Sequence, residues 1–238
     1  GAPLVPPFHD ALFRREGETV IVLNIGGISN VTLLRPGEKA RGWDTGPGNT
    51  MLDLWYRKSG NAGAYDRDGK FAQSGSISEA LLEEFLREPY FAARPPKSTG
   101  RELFNLSFIE RSLKSLSARG IALPSPADVE RTLLRLTAIT ITMGIRDALN
   151  DGEHAEILAA GGGVHNALLL DDIRECLLNL SVCADLGTAE DAGIDSDFLE
   201  AEAFAWLAWC RVNGVRPDLS AVTGASVDSV PGALYLGH

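Results

Sequence analysis

The amino-acid sequence predicts an α/β fold with a mixed sheet that opens with an antiparallel hairpin and is flanked by helices. Three observations lead to this prediction. The apolar run TVIVLNI is followed by a Gly-Gly turn and a second run, NVTLL; a third short strand comes next; and a late strand passes through a glycine turn into a helix. Antiparallel neighbours need only a short turn, whereas strand-turn-helix segments favour parallel pairing. A purely parallel nucleotide-binding sheet would not open in this way.

The first strands follow from apolar runs and turn residues. Residues 19–25 predict a buried strand, Gly26 and Gly27 a tight turn, and residues 30–34 the partner strand. The RPGEK segment predicts a second turn, which leads to a short third strand ending near Asp44.

Helices are predicted where apolar residues recur at helical spacing behind a capping residue. The first begins at Asn49, with Asn49 or Thr50 as its cap. The longest begins at SPADVE, where Ser125 caps and Pro126 takes the first helical position, and it runs to about residue 149. The other early helices cover residues 78–87 and 107–119. Between these two lies the proline-rich loop EPYFAARPPKSTGRELFNL, and loops of this length are usually functional or mobile.

The last part of the chain predicts a strand from residue 155, a glycine turn and a helix from about Asn166. A further short strand is expected at LSVCA, residues 180–184, before the acidic loop TAEDAGIDSD. The closing helix covers residues 198–212. Its Glu200 and Glu202 lie about 200° apart around a helix, so at most one of them faces a site.

Composition bounds the function. The 238 residues suffice for one large domain with a real core, and the net charge of −10 disfavours nucleic acids and acidic membranes as partners. No apolar run approaches the ~20 residues of a membrane span. The three cysteines, Cys176, Cys183 and Cys210, form no CxxC pair and suit a reducing compartment, hence a cytoplasmic location. The histidines lack metal-ligand spacing, so no metal site is predicted from side chains, and no G-x-S-x-G elbow is present.

Four segments carry candidate chemistry. Gly26 and Gly27 would let backbone amides approach phosphate oxygens, although a Gly-Gly pair is also an ordinary hairpin turn. AAGGGVHN stands between a strand and a helix, where anions and nucleotides bind, but Asn166 occupies the third glycine position of a dinucleotide fingerprint. RPPKSTGRE brings cations and hydroxyls together, either for an acidic ligand or as a solvated loop. In GWDTGPGN the lone acid Asp44 stands among small residues, as in an ordinary turn or around a reacting group.

The order of these segments resembles that of the sugar kinase, actin and Hsp70 superfamily, which has a ribonuclease-H-like ATPase fold. Within it the chain is similar to the anhydro-N-acetylmuramic acid kinases nearly end to end. The motifs that carry this resemblance are GAPLVPPFHDALF, VLNIGGISNVTLL, GWDTGPGNTMLDLW, YDRDG, PYFAARPPKSTGRE, PADVERTL, GGGVHN and EAEAFAWLA.

The resemblance implies roles for particular residues. Asp44 corresponds to the catalytic base, which would take a proton from the water that attacks the anomeric carbon of a 1,6-anhydro amino sugar. Gly26 and Gly27 would contact the phosphates of ATP, with Mg²⁺ neutralising them. The adenosine segment would consist of Gly161, Gly162, Gly163 and Asn166.

The resemblance also implies a substrate site. Thr45 and Asn49 could hold sugar hydroxyls, and Lys97 and Arg101 either bind the lactyl carboxylate or order their loop. Glu200 matches the acid of the family's closing helix, whereas Glu202 stands where an apolar residue is expected.

One departure from the superfamily is large. The first phosphate loop, of the form G-T-S-x-D-G, is not in the sequence. Residues 1–238 are therefore expected to form a single lobe, the second of a two-lobe kinase, that shows no turnover alone. A non-catalytic sugar- or nucleotide-binding module, and a phosphatase or ATPase of the same fold, stay open as alternatives, and so does a homodimer.

Overall fold

The structure, a computed structural model, describes residues 4–196, 198–220, 226–227 and 229–235. The start of the GAPLVPPFHDALF motif and Asp197 of the acidic loop lie outside these ranges. Within them a sheet contains β1 (Thr19–Ile25), β2 (Ile28–Leu34), β3 (Arg41–Pro47), β4 (Ala155–Ala160) and β5 (Ala184–Thr188) in the order β3-β2-β1-β4-β5. The β1–β2 and β2–β3 pairs are antiparallel, and the β1–β4 and β4–β5 pairs are parallel. The predicted mixed sheet with an opening antiparallel hairpin is confirmed.

Helices cover both faces of the sheet. In chain order they are α1 (Pro6–Phe13), α2 (Asn49–Lys58), α3 (Lys70–Gln73), α4 (Glu79–Leu86), α5 (Pro89–Ala92), α6 (Leu106–Ala118), α7 (Pro126–Arg146), α8 (Ala167–Asn179) and α9 (Leu199–Asn213). Short 3₁₀ turns occupy Arg67–Gly69, Gly162–His165 and Ala189–Ala192. No described helix combines the length and the apolar character that a membrane span needs.

The core follows the alternation of β1. Ile21, Leu23 and Ile25 point into the larger apolar cluster, together with side chains of α2, α4, α6, α7 and α8. Val20 and Val22 point to the opposite face, where they meet α1 and α9. Because neighbouring strand residues face opposite sides, a strand that is apolar at every position indicates helices on both faces.

Strand direction brings three of the candidate segments to one edge of the sheet. β1 and β4 are parallel neighbours, with Asn24 opposite Ala160, so Gly26 and Gly161 leave the sheet side by side. β3 lies two antiparallel steps from β1 and therefore runs in the same direction. The loops after all three strands meet at this edge, which is where α/β sheets bind ligands.

A β-bulge interrupts the β2–β3 pairing. Ser29 lies opposite Gly46 and Asn30 lies opposite Asp44, so Thr45 is the extra residue on β3. A bulge re-aims side chains locally and increases the twist of the strand. Here it fixes Asp44 directly across from Asn30.

Three sequence expectations need correction. The strand predicted at residues 180–184 is wrong, because Ser181 has a φ of 53° and the chain turns there before β5 begins at Ala184. The third strand does not end near Asp44 but continues to Pro47. The cap of α2 is Gly48, and neither Asn49 nor Thr50 takes that position.

Candidate active site

The Asp44 carboxylate is held by the loop that follows α5. Its Oδ2 accepts a hydrogen bond of 2.8 Å from the Ser98 hydroxyl and one of 2.9 Å from the Thr99 backbone N–H. The Asp44 backbone is fixed as well, because its N–H donates to the Lys97 carbonyl and its carbonyl accepts from the Tyr90 hydroxyl. No hydrogen bond from the part of the chain that the structure describes ends on Oδ1. The carboxylate is thus oriented through Oδ2, and Oδ1 receives no hydrogen bond from the described residues.

Thr45, predicted to hold sugar hydroxyls, lies on the other face of β3. Its side chain is 1% exposed, and its hydroxyl lies 2.7 Å from the Ser29 hydroxyl. The methyl group of Thr45 packs so closely on α7 that a Cβ on Gly144 would lie 2.6 Å from it. The structure therefore does not bring Thr45 into the space in front of Asp44.

The hairpin tip is tied to the start of α2. The carbonyl of Gly26 accepts from the N–H of Asn49 at 2.8 Å, and the carbonyl of Gly27 accepts from Gly48 and Thr50 at 3.0 and 3.1 Å. A Cβ on Gly48 would lie 2.2 Å from the Gly26 oxygen, so only glycine permits this approach. These bonds occupy first-turn N–H groups of α2, which a helix start otherwise leaves unpaired.

The three glycines after β4 are there for different reasons. Gly161 has a φ of 83°, and a Cβ on it would lie 2.5 Å from the Asn24 side chain. A Cβ on Gly163 would lie 2.2 Å from Ile25 Cγ2. A Cβ on Gly162 would meet nothing nearer than Asn49 Nδ2, at 4.0 Å. Protein packing therefore explains Gly161 and Gly163, whereas Gly162 borders open space.

A cleft of about 460 Å³ joins Asp44 to both glycine turns. Of the predicted residues it brings together Asp44, Gly26, Gly27, Gly161, Gly162 and Glu200. It also contains polar residues that received no individual site assignment in the sequence analysis: His9, Asn24, Asn30, Ser98, Thr99 and Ser196. The volume lies within the ~300–1,000 Å³ of typical ligand sites.

His9 lies in this cleft and is 2% exposed. Its Nδ1 lies 2.9 Å from the Thr32 hydroxyl, and burial lowers the pKa of the imidazole to about 3. His9 is therefore a neutral ring at physiological pH, able to donate from one nitrogen and accept at the other. In the sequence His9 has no second histidine at the spacing of a metal site, so it was not singled out. Only the packing of α1 on the sheet shows that it reaches the cleft.

Lys97 and Arg101 do not line this cleft. The Lys97 ammonium donates to the Tyr90 carbonyl at 3.3 Å and lies 4.8 Å from the centre of the Tyr90 ring, and burial lowers its pKa. The Arg101 guanidinium lies over the hairpin, where a Cβ on Gly27 would be 3.4 Å from its nearest nitrogen. The two predicted roles were binding of a carboxylate and ordering of the loop. Lys97 contacts Tyr90 of its own loop region, as the second role requires, whereas Arg101 lies beside the hairpin tip at Gly27.

Asn49 and Asn166 line a second cavity of about 500 Å³, which meets the first at Gly162. The Asn49 side chain donates to the Ile25 carbonyl at 3.3 Å, and Asn166 Oδ1 accepts from the Leu169 N–H as the cap of α8. Gly163, the remaining predicted residue, lines neither cavity. Asn49 and Asp44 therefore line different cavities.

Comparison of the sequence with known protein families gives a match over almost the whole chain. Residues 1–237 match the family described as Anhydro-N-acetylmuramic acid kinase. The chain belongs to this family. Curated anhydro-N-acetylmuramic acid kinases from Pasteurella multocida and Haemophilus influenzae are 45% and 41% identical to it over 99% of its length. The chain covers 59% and 61% of those two relatives.

A comparison of structures adds a weaker likeness. The activator of the 2-hydroxyisocaproyl-CoA dehydratase from Clostridium difficile, solved with bound ADPNP, is 14% identical to this chain. The match has a TM-score of 0.46 and covers 89% of this chain and 67% of the activator.

The closing helix supplies one acid to the Asp44 cleft. Glu200 stands in the first turn of α9 and lines the Asp44 cleft, whereas Glu202 is exposed outside it. The cleft therefore offers one oriented carboxylate, a second acid, hydroxyls, and backbone groups at two glycine turns. Such a set can remove a proton and bind a polar ligand beside an anion.

Proposed function

We propose that this chain belongs to an ATP-dependent kinase that opens 1,6-anhydro-N-acetylmuramic acid with water and phosphorylates it to N-acetylmuramic acid 6-phosphate. Family membership supports the reaction class. The observation that carries the proposal is the cleft in which Asp44 faces both glycine turns. This arrangement suits a sugar on the carboxylate and phosphates on the glycines. The reaction belongs to peptidoglycan recycling, for which we propose a cytoplasmic location.

In this proposal Asp44 is the general base. Its free Oδ1 takes a proton from a water molecule, which attacks the anomeric carbon while the bond from that carbon to O6 breaks. Ser98 and Thr99 hold Oδ2 and so keep the carboxylate aimed at the water. A base must lie within hydrogen-bond reach of its proton, and the glycine-rich surroundings leave room for the sugar and the water.

The glycine turns fit a nucleotide. Gly162 borders open space that a side chain would fill, and the Arg101 guanidinium beside Gly27 supplies positive charge in an acidic protein. ATP, when bound, supplies the phosphoryl group that the released O6 takes. Among the described residues no group of three His, Cys, Asp or Glu side chains could hold a metal ion. The proposed Mg²⁺ would therefore depend on the phosphates and water for its other ligands, as Mg²⁺ commonly does.

We also propose that residues 1–238 form the second lobe of a two-lobe kinase. The chain spans about 60% of the length of the curated relatives it matches, consistent with this proposal. Residues 1–238 do not contain the superfamily's first phosphate loop. On this proposal the chain alone binds its ligands weakly and does not turn over.

The test measures formation of N-acetylmuramic acid 6-phosphate from the anhydro sugar, ATP and Mg²⁺, by mass spectrometry. It uses the full gene product that contains this chain, with Asp44→Asn as the variant. Asp171→Asn, an exposed acid on α8, is the matched control. We expect Asp44→Asn to lose several orders of magnitude in turnover with little change in ATP affinity, and the control to behave as the parent.

Two outcomes contradict the proposal. A gene product that binds ATP and the sugar without turnover would be the non-catalytic binding module considered above. A near-normal rate for Asp44→Asn would remove this carboxylate from the mechanism. Turnover by the 238-residue chain alone would overturn the two-lobe proposal but leave the reaction in place.

A further inference from the structure

One face of the sheet carries a row of polar side chains across three neighbouring strands. Asn24 of β1 lies opposite Asn30 of β2, and Asn30 lies opposite Asp44 of β3. All three residues line the Asp44 cleft. The next position of β2 on the same face is Thr32, about 7 Å further from the turn at residues 26–27. Along the strands, Asp44 therefore lies between the glycine turn and the position of Thr32.

His9 occupies the end of the cleft beyond Asp44. Its ring reaches from α1 to β2, where Nδ1 lies 2.9 Å from the Thr32 hydroxyl. The residue is 2% exposed and borders the cleft, and its Nε2 makes no hydrogen bond within the described residues. His9 is thus a buried side chain with one nitrogen available to a molecule in the cleft.

The Thr32 hydroxyl determines which nitrogen of the ring carries the proton. Thr32 is 2% exposed, and among the described residues its hydroxyl has His9 as its partner. A buried O–H without an acceptor is destabilising, so this hydroxyl donates to Nδ1 and the ring proton is on Nε2. Burial lowers the pKa of the imidazole to about 3, so the ring carries no second proton at neutral pH. His9 therefore presents a single N–H donor to the cleft.

The other groups of the cleft restrict what this donor can bind. Asp44 and Glu200 line the same cleft, and their negative charges disfavour a carboxylate beside a neutral ring. The acceptor is therefore an uncharged oxygen. Asn30 also lines the cleft and supplies an amide oxygen that can accept a hydrogen bond. A donor from His9 and an acceptor from Asn30 match a group that contains both a carbonyl and an N–H, which is a secondary amide.

The proposed substrate has a secondary amide next to its reacting carbon. O6 takes the phosphoryl group in the proposed reaction, so O6 faces the glycine turns, while the anomeric carbon C1 lies at the water that Asp44 activates. The ring carbon C2 is bonded to C1 and carries the acetamido group. With O6 directed towards Gly26 and Gly161, the substituent on C2 can reach the part of the cleft where His9 lies.

We propose that Nε2 of His9 donates a hydrogen bond to the acetamido carbonyl of the sugar, that Asn30 accepts one from the acetamido N–H, and that this pair selects 2-acetamido sugars. The inference rests on the proposed function, because it takes the substrate and its orientation from that reaction. It gives α1 a part in substrate choice. This helix lies close to β3, since a Cβ on Gly42 would lie 2.7 Å from Pro6 Cγ, and the close approach brings the His9 ring to the cleft.

The test uses the full gene product that contains this chain and measures how two competitors inhibit phosphorylation of the anhydro sugar. The competitors, 1,6-anhydro-N-acetylglucosamine and 1,6-anhydroglucose, differ only in the substituent on C2. His9→Asn keeps a nitrogen near the Nδ1 position and removes Nε2. His9→Gln places an amide nitrogen near the Nε2 position and loses the contact with Thr32. His154→Asn, at an exposed histidine before β4, is the matched control.

We expect the parent and the control to bind the acetamido competitor about tenfold or more tightly than 1,6-anhydroglucose. His9→Asn should weaken the acetamido competitor about tenfold and leave 1,6-anhydroglucose within about twofold, because one hydrogen bond is lost. His9→Gln should keep most of the preference, although it should melt at a lower temperature than the parent. A purely structural His9 would give the opposite pattern, in which Asn is harmless and Gln weakens both sugars equally.

An unchanged inhibition constant of the acetamido competitor in His9→Asn would overturn the inference while the kinase proposal stands. A parent protein that phosphorylates the anhydro sugar but is inhibited equally by both competitors would do the same. A full gene product that does not phosphorylate the anhydro sugar would contradict the kinase proposal, and the inference with it.

Discussion

The backbone N–H of Thr99 donates a hydrogen bond of 2.9 Å to Oδ2 of Asp44. The two residues come from different parts of the fold, one from the loop after α5 and the other from the middle of β3. Charge-assisted hydrogen bonds to a carboxylate are short and strong, and they fix its orientation. The loop that follows α5 therefore has a direct structural connection to the proposed base.

Removal of the neighbouring donor tests this connection. Ser98→Ala deletes the 2.8 Å hydrogen bond to Asp44 and keeps the one from the Thr99 backbone. Because hydrogen bonds to charged groups contribute about 1.5–3 kcal/mol, we expect turnover of the full gene product to fall roughly 10- to 100-fold. Steady-state kinetics gives the rate, and Ser117→Ala on the exposed side of α6 is the control. An unchanged rate would show that Thr99 alone orients the base.

Two glycine substitutions distinguish ligand space from packing. Gly162→Ala places a methyl group in open space, so the chain should unfold at the parent's temperature while its ADP affinity drops. Gly163→Ala drives the same methyl group into Ile25, and overpacking of this kind costs about 1–3 kcal/mol of stability. Thermal unfolding and ADP titration of both variants provide the comparison. The reverse pattern would contradict the assignment of Gly162 to the ligand.

Lys97 and Arg101 should separate into two phenotypes. Lys97→Met keeps the aliphatic stem but loses the contacts with the Tyr90 carbonyl and ring, so the free energy of unfolding should fall by about 1 kcal/mol. Arg101→Gln removes the charge beside Gly27 and should weaken pyrophosphate binding severalfold without a change in stability. Denaturant unfolding and calorimetry measure the two effects. A loss of stability in Arg101→Gln would show that this side chain also orders the loop.

Stability should depend on pH through Glu130. Burial, together with the negative charges of Asp66 and Asp53, raises its pKa from 4.5 as a free group to about 9 in the folded chain. The folded state therefore retains a proton that the unfolded state has lost. The stabilisation is complete below about pH 4.5 and falls as pH rises towards 9, by up to about 1.4 kcal/mol per pH unit. Urea unfolding from pH 6 to 8 should show this slope relative to Glu130→Gln. Glu130 lines the second cavity, whose other charged or titratable groups, present in both proteins, are Asp53, Asp66, Arg67, Asp68 and His165.

The ion pair between α7 and α8 should be essential for stability. Asp172 is 3% exposed and receives two hydrogen bonds, of 2.6 and 2.9 Å, from the Arg131 guanidinium. Asp172→Ala leaves Arg131 and Arg135 without this acid, and the loss of one member of a buried pair costs about 3–5 kcal/mol. Denaturant unfolding measures it, with the exposed Asp171→Ala expected within about 0.5 kcal/mol of the parent.

Most of the fold could be predicted because local signals and packing agree. The long helix α7 begins at the predicted cap, where Ser125 and Asp128 form a capping box. The strand at residues 180–184 failed because the chain turns at Ser181, so that pairing with β4 begins only with the hydrogen bond from the Ala155 N–H to the Cys183 carbonyl. β5 has no fully buried residue and its Asp185 is exposed, so its position follows from the alignment of Ala184 with Ala155. Pairing between distant strands is not encoded in a local pattern.

The site was predictable only in part. Asp44 and the glycine turns were found because small residues cluster around them in the sequence. The position of Thr45 follows from strand alternation, because neighbouring residues of β3 face opposite sides of the sheet and Thr45 therefore faces away from Asp44. Glu130 gave no signal, since an acid near the start of a helix normally faces water and favours the helix dipole. Its burial arises from α2 and residues 65–68, which pack over α7 only in the folded chain.

The bulge at Thr45 limits how this part of the gene can change in length. The pairing of Asp44 with Asn30 depends on one extra residue in β3, so deletion of Thr45 would restore a regular ladder. Single-codon insertions or deletions within β2 or β3 would exchange the outward-facing and inward-facing side chains of that strand. A scan of in-frame length variants should therefore tolerate changes in the RPGEK turn and reject them in the few residues on either side of the acid.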